Sequence, residues 1–177
     1  MPPITIVFFG SGIAVWANAM YFMGIGADRK EGAADPLKSV GWVTLAAGIA
    51  DFVQAFAIMS NQLAGDASVQ LAGLVSIYAL FFTFLGITEI FGLDLRPLGN
   101  VCIAVALVPL FYLDFFNTVD SWMFQSILVV WAIVFLAIAA VAYGKLQPKV
   151  LAFLLFVTAI YTFWTPAVIL ALGNEIP

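Results

Sequence analysis

Residues 91–99 read FGLDLRPLG and stand between two long apolar runs. Asp94 and Arg96 place opposite charges there, in a chain of 177 residues with only six basic and ten acidic side chains, and Pro97 follows at once. If the interruption is ignored, residues 68–116 merge into one overlong segment. If it is a turn, two separate spans emerge. The second reading has a mechanism: proline is preorganised for the first turn of a helix, and Asp94 can cap that helix or pair with Arg96. This turn fixes the number of spans in the whole chain.

Hydrophobic residues make up 64% of the sequence and charged residues 9%, with a mean hydropathy of +1.12. Ordinary soluble domains carry about 45–50% apolar and about 25% charged residues. The chain is therefore read as an all-α membrane protein, with six spans at about 4–26, 40–60, 68–91, 98–116, 122–144 and 150–172. Each can cross a hydrocarbon core of about 30 Å at a rise of about 1.5 Å per residue. Residues 1–177 are expected to form one six-helix domain. The connections are short, so sequential neighbours should run antiparallel.

Basic residues orient the bundle, because Lys and Arg accumulate in cytoplasmic loops. Arg29, Lys30 and Lys38 lie in the first loop, Arg96 in the third, and Lys145 and Lys149 in the fifth. The second and fourth loops and the C-terminal tail carry Asp66, Asp120 and Glu175 instead. Both termini are thus expected outside. The opening MPPITIVFF lacks the basic start of a cleaved signal peptide, so the first span is expected to remain. Two halves of three spans would be inverted relative to each other, a geometric possibility that no residue-level repeat supports.

Several functions lack their chemistry. There is no histidine, and Cys102 is the single cysteine, which reads as a small packing residue. HExxH, G-x-S-x-G and P-loop strings are missing. Gly10-Ser11-Gly12 is no dinucleotide loop, since no strand precedes it and a third glycine is lacking. No enzyme activity, cofactor, metal or nucleic-acid partner is expected.

Ionisable groups inside spans are costly and so are functional candidates. Asp51 lies in the middle of span two with Gln54 three residues on; it is either a hydrogen-bonded clip between helices or a pore-lining or proton-handling group. Glu89 and Asp114 lie near span ends, where a carboxylate can reach water, and Glu89 is also placed to pair with Arg96 or to charge a pore mouth. Asn18, Thr158 and Thr162 offer hydrogen bonds to a neighbouring helix or to a neutral solute. Trp42 and Trp122 read as interfacial anchors. Tyr78 and Phe82 are one turn apart, as are Trp131 and Phe135, and the two pairs can form facing aromatic walls. Pro109 and Pro166 predict kinks, and Gly10, Gly12, Gly24 and Gly26 permit close approach of another helix or a solute.

The opening stretch resembles the FGLDxRP signature of the bacterial urea/amide channel family, UreI and AmiS. The likeness extends through Asn18, through Asp35-Pro36 before span two, and through Trp164-x-Pro166 in span six. It implies a homohexamer in the bacterial inner membrane whose protomers each hold an aromatic and aliphatic pore. By position it implies Phe8 and Val15 at constrictions, Tyr78 and Phe82 in span three, and Trp131, Val134 and Phe135 in span five, where Phe135 replaces a second tryptophan. Asn18, Thr158 and Trp164 complete the implied lining. Acid-gated urea channels carry a longer, histidine-containing outer loop and a span-six glutamate; here that loop is SNQLAGDAS and Thr158 takes the glutamate's place. The resemblance therefore implies an ungated channel for urea or small aliphatic amides. A proton-coupled amide transporter using Asp51 or Glu89 is the alternative, and an accessory membrane subunit the third reading.

Overall fold

The computed structural model describes residues 4–118 and 120–177. Residues 1–3, which begin the expected uncleaved opening, and Val119 in the fourth loop lie outside the described residues. Six helices are long and apolar enough to cross a membrane, and no strand occurs among the described residues. The spans are α1 (Ile4–Phe22), α2 (Pro36–Ser60), α3 (Ser68–Phe91), α4 (Leu95–Phe111) with the short α5 (Leu113–Thr118), α6 (Trp122–Ala142), and a sixth formed by α7 (Pro148–Thr158), a π-helical turn (Ala159–Trp164) and α8 (Thr165–Ala171).

The stretch 91–99 holds both a stop and a start. Gly92 takes φ +64° and closes α3 through its N–H to the Thr88 carbonyl, a left-handed conformation that costs glycine little. Asp94 is extended, and its carboxylate accepts the Arg96 N–H at 2.9 Å, starting α4 at Leu95. Asp35 does the same for α2, accepting the Leu37 N–H at 2.9 Å with Pro36 in the first turn. Both helices therefore begin three or four residues before the expected 98 and 40, since a cap recruits polar residues that hydropathy assigns to the loop. Span one ends earlier than expected. Gly24 and Gly26 lie beyond α1 at φ +90° and +71° with open space around them, so they terminate the helix and approach nothing closely.

Two hydrogen bonds set the register of α1 on α2. Ser11 Oγ donates to Asp51 Oδ2 at 2.6 Å, and Asn18 Nδ2 donates to Thr44 Oγ1 at 2.9 Å. Both partners advance by seven residues in opposite directions, so the helices are antiparallel, with polar rungs two turns apart. The same register sets Val7 opposite Ala55, which share an apolar cluster. Small residues then draw α3 onto α2. A methyl at Gly48 would lie 2.5 Å from Thr83 Oγ1, and one at Gly86 2.5 Å from the Leu45 nitrogen. This is the small-residue packing by which membrane helices associate without a hydrophobic driving force.

The loops with Lys and Arg meet at one end of the bundle. There Tyr143 hydrogen-bonds Asn100, joining the end of α6 to the start of α4. At the opposite, base-free end, Tyr112 O–H donates to the Gln70 carbonyl at 3.1 Å, and Ser121 Oγ and the Met123 N–H both donate to the Pro177 carbonyl. The expected proline kinks take specific forms. Two residues after Pro109 α4 gives way to α5, and Pro166 follows the π-turn, where Thr165 Oγ1 donates to the Ile160 carbonyl at 2.8 Å.

Candidate functional site

One face of α1 carries Val7, Ser11, Ala14 and Asn18 towards α2. The adjacent buried positions, Phe8, Gly12, Val15 and Ala19, face the rest of the bundle. Three cavities follow one another there, between α1, α3, α6 and the sixth span. The first, nearest the base-free end, is bounded by Ile4, Phe8, Ser11, Leu74, Tyr78, Phe124, Trp131 and Phe163. The second is lined by Val15, Tyr78, Phe82, Trp131, Val134, Phe135, Thr158 and Phe163. The third, towards the basic end, is lined by Val15, Asn18, Phe22, Phe82, Leu85 and Leu155.

Three aromatic residues belong to both the first and second cavities, and so form the partition between them: Tyr78, Trp131 and Phe163. Tyr78 meets Trp131 edge-on at 4.6 Å between ring centroids and stacks on Phe135 at 5.6 Å. Trp131 stacks on Phe163 at 5.4 Å, and Phe8 meets Phe163 edge-on at 6.3 Å. Both geometries are favoured arrangements for ring quadrupoles, and two-bond side chains with this much contact are rigid. The indole is further tied: Trp131 Nε1 donates to Thr162 Oγ1 at 2.9 Å, and Thr162 donates to the Thr158 carbonyl at 2.8 Å. The Tyr78 hydroxyl is buried and has no partner. The partition is thus a set of planar apolar faces with a very small number of uncommitted polar atoms.

The expected lining residues come together in large part. Phe8, Val15, Asn18, Tyr78, Phe82, Trp131, Val134, Phe135 and Thr158 each line at least one cavity. The aromatic pairs do face each other, although the stacking partner of Phe135 is Tyr78, and it is Phe81 that meets Phe135 edge-on, at 4.7 Å, while Phe82 contacts Phe81. Trp164 lines none of the three cavities. It packs on Trp16 at 4.9 Å and over Gly12, where an added methyl would lie 2.5 Å from its ring. Its neighbour Phe163 occupies the partition instead, because the π-turn inserts a residue and rotates the following side chains. Asp51 and Glu89 also line none of the three. Asp51 is 1% exposed behind Ser11, and Glu89, 4% exposed, has no hydrogen-bond partner for either oxygen, so it does not reach water as its position in the sequence implies. Arg96 pairs with Asp94 at 2.5 Å, not with Glu89. That guanidinium, together with the Arg96 N–H, holds the exposed Asp94 carboxyl down to about 2.

Two residues escaped sequence reasoning. Phe163 could have been found from Pro166 close behind it, a cue for helix irregularity. Ser11 could have been found from the paired sevens, Ser11 and Asn18 in one span, Thr44 and Asp51 in the next.

Comparison with known proteins is consistent along the entire length. The family model for AmiS/UreI family transporters matches residues 4–174. The structure is similar to the cryo-EM structure of the Helicobacter pylori urea channel in a closed state, at TM-score 0.77 and 15% identity, covering 99% of this chain and 100% of that one. It is similar as well to the crystal structure of the urea channel from the same pathogen, at TM-score 0.77 and 17% identity, with 98% of each chain covered. At these identities the likeness shows the fold. No curated protein sequence matches the chain.

Proposed function

The chain belongs to the AmiS/UreI transporter family, and we propose that it is a passive channel for urea or short-chain aliphatic amides with its own pore in each protomer. The observation that carries this reading is the aromatic partition of Tyr78, Trp131 and Phe163 between cavities in series. Urea and acetamide are flat and neutral, so they can slide against ring faces. An ion would have to shed its water against groups that cannot replace it, at a prohibitive cost. Phe8, Val15, Asn18, Phe82, Val134, Phe135 and Thr158 line the path on either side, and Trp164 packs outside it, on Trp16 and over Gly12.

In this reading the basic end is cytoplasmic, both termini are outside, and residues 1–177 form one domain in a bacterial inner membrane, assembled as a homohexamer. A proton-coupled transporter is favoured by one observation, the unpartnered Oδ1 of buried Asp51 and both oxygens of buried Glu89. The test is amide flux into liposomes carrying the wild type, Trp131→Ala or Tyr78→Ala. Altered flux and selectivity in both variants is the expected result. Unchanged flux and selectivity would remove the partition from the transport path.

A further inference from the structure

Three consecutive residues of the π-turn hold α6. Tyr161 hydrogen-bonds Ser126 at 2.5 Å, and because the Ser126 hydroxyl proton goes to the Met123 carbonyl at 2.7 Å, the tyrosine is the donor. Thr162 accepts the Trp131 indole N–H at 2.9 Å, and Phe163 stacks on the same indole at 5.4 Å between ring centroids. Adjacent residues thus hold one ring by its edge and by its face. Thr162 is 0% exposed, and its single hydroxyl proton is donated to the Thr158 carbonyl at 2.8 Å, so its lone pairs are what it offers the indole. The Thr158 hydroxyl is itself committed to the Leu154 carbonyl at 2.7 Å. The two hydrogen bonds to α6 differ in where they end. Ser126 and Tyr161 line none of the three cavities, so their bond joins helices and no more, whereas Trp131 lines two of them.

We infer, resting on the amide-channel reading, that Thr162 is a positioning residue that sets the channel's specificity: it holds the Trp131 indole with its N–H turned out of the slot and its ring fixed as part of the wall. An indole nitrogen only donates. Without an acceptor it would stand unpaired inside the protein, at a cost, or swing into the slot and bind a solute carbonyl. Either outcome harms a channel, since a loose ring gives the slot no fixed width and a free donor at the partition holds what should pass. With the N–H given to Thr162, the face stacked on Phe163 and Tyr78 set edge-on at 4.6 Å, the ring is held on three sides. The slot then keeps one width, which passes flat amides and refuses the bulkier glycerol. A helix clip alone accounts for less, because the bond from Tyr161 to Ser126 already ties the same turn to α6 one residue away.

The test is the ratio of acetamide to glycerol flux in proteoliposomes. A second readout does not depend on transport: the proton resonance of the Trp131 indole N–H, identified by its absence in Trp131→Phe. Thr162→Val keeps the shape and removes the hydroxyl, so it should lower the ratio by about two- to tenfold, as expected for one lost hydrogen bond, and move the indole resonance upfield. Thr162→Ser should retain both. Tyr161→Phe, which removes the other hydrogen bond to α6, should keep the wild-type ratio. In Trp131→Phe the ring has no N–H to hold, so adding Thr162→Val should lower the ratio no further, because Thr162 acts through Trp131. If Thr162→Val does not fold, as judged by circular dichroism, Thr162→Ser and the wild type decide: the serine variant should keep the ratio, and the wild-type resonance should stay in place as acetamide is added. A wild-type ratio in Thr162→Val, an equal fall in Tyr161→Phe, a further fall in the double variant, or a wild-type resonance that moves downfield with acetamide would overturn the assignment while leaving the channel standing. A wild type that passes acetamide no faster than empty liposomes would overturn the channel reading, and the specificity role of Thr162 with it.

Discussion

The seam between α1, α2 and α3 and the slot between α1, α3, α6 and the sixth span share two helices, yet they are built from different side chains. The seam joins small and polar residues, with Gly41, Gly48 and Gly86 bringing backbones together and Asp51, Thr44, Asn18 and Glu89 among them. The slot is walled by Phe8, Tyr78, Phe82, Trp131, Phe135 and Phe163. One helix serves both because positions 7, 11, 14 and 18 lie on its α2 side and 8, 12, 15 and 19 on the next, with Val7, Ser11 and Asn18 reaching the edge of the slot. The difference separates two tasks: the seam holds helices at close range, where lipid offers no hydrophobic drive, and the slot keeps rigid faces a small distance apart. Substitutions in the seam should therefore change stability with selectivity kept, and those in the slot should change selectivity whatever they do to stability.

The largest departure is expected at Trp131→Ala, which removes two ring contacts and the Thr162 hydrogen bond at once. Unfolding in mixed micelles should become easier by about 3 kcal/mol, towards the low end for such truncations, and glycerol should begin to leak. Next come two glycines that divide the tasks between them. Gly48→Ala forces a methyl against Thr83 and should cost about 1–3 kcal/mol while the folded fraction keeps wild-type selectivity. Gly12→Ala presses on Trp164 and on Phe163 Cβ; it should destabilise as well and, unlike Gly48→Ala, shift the urea-to-acetamide flux ratio of the folded fraction. The converse outcome, selectivity lost in Gly48→Ala and kept in Gly12→Ala, would erase the division.

A smaller effect is expected for Asp35→Ala, which removes the cap of α2 and should cost about 1 kcal/mol without touching flux. The smallest concerns the Asp94–Arg96 pair. Its carboxyl lies lower in the folded protein than in the unfolded chain, so its contribution is complete above the ordinary aspartate range and is lost as pH falls through about 2. A carbon-13 titration of the Asp94 carboxyl with a midpoint at an ordinary aspartate value would show that Arg96 does not hold it.

The spans were legible because a membrane helix announces itself by length and apolarity, and the capping aspartates and Gly92 mark its ends. The helix faces were far less legible. Residues such as Ile6, Val53 and Phe84 are as apolar as the core but lie exposed on the outer surface, so periodicity does not tell lipid-facing from slot-facing positions. Tyr78 and Trp131 could be placed because aromatic residues one turn apart suit a wall. Phe163 could not, since a π-turn breaks the spacing from which faces are read. Ser11 was hidden by its size: a small polar residue within a span reads as packing until its partner on the neighbouring helix is known.

The central claim is that the aromatic slot passes flat neutral amides and does so passively. Stopped-flow light scattering of wild-type proteoliposomes with urea, acetamide and glycerol, each with and without a pH gradient, tests it most directly. Urea or acetamide should pass well above protein-free vesicles, glycerol should not, and the gradient should change neither rate nor final concentration. Glycerol passing as fast as the amides, or an amide accumulating when a pH gradient is imposed, would contradict it.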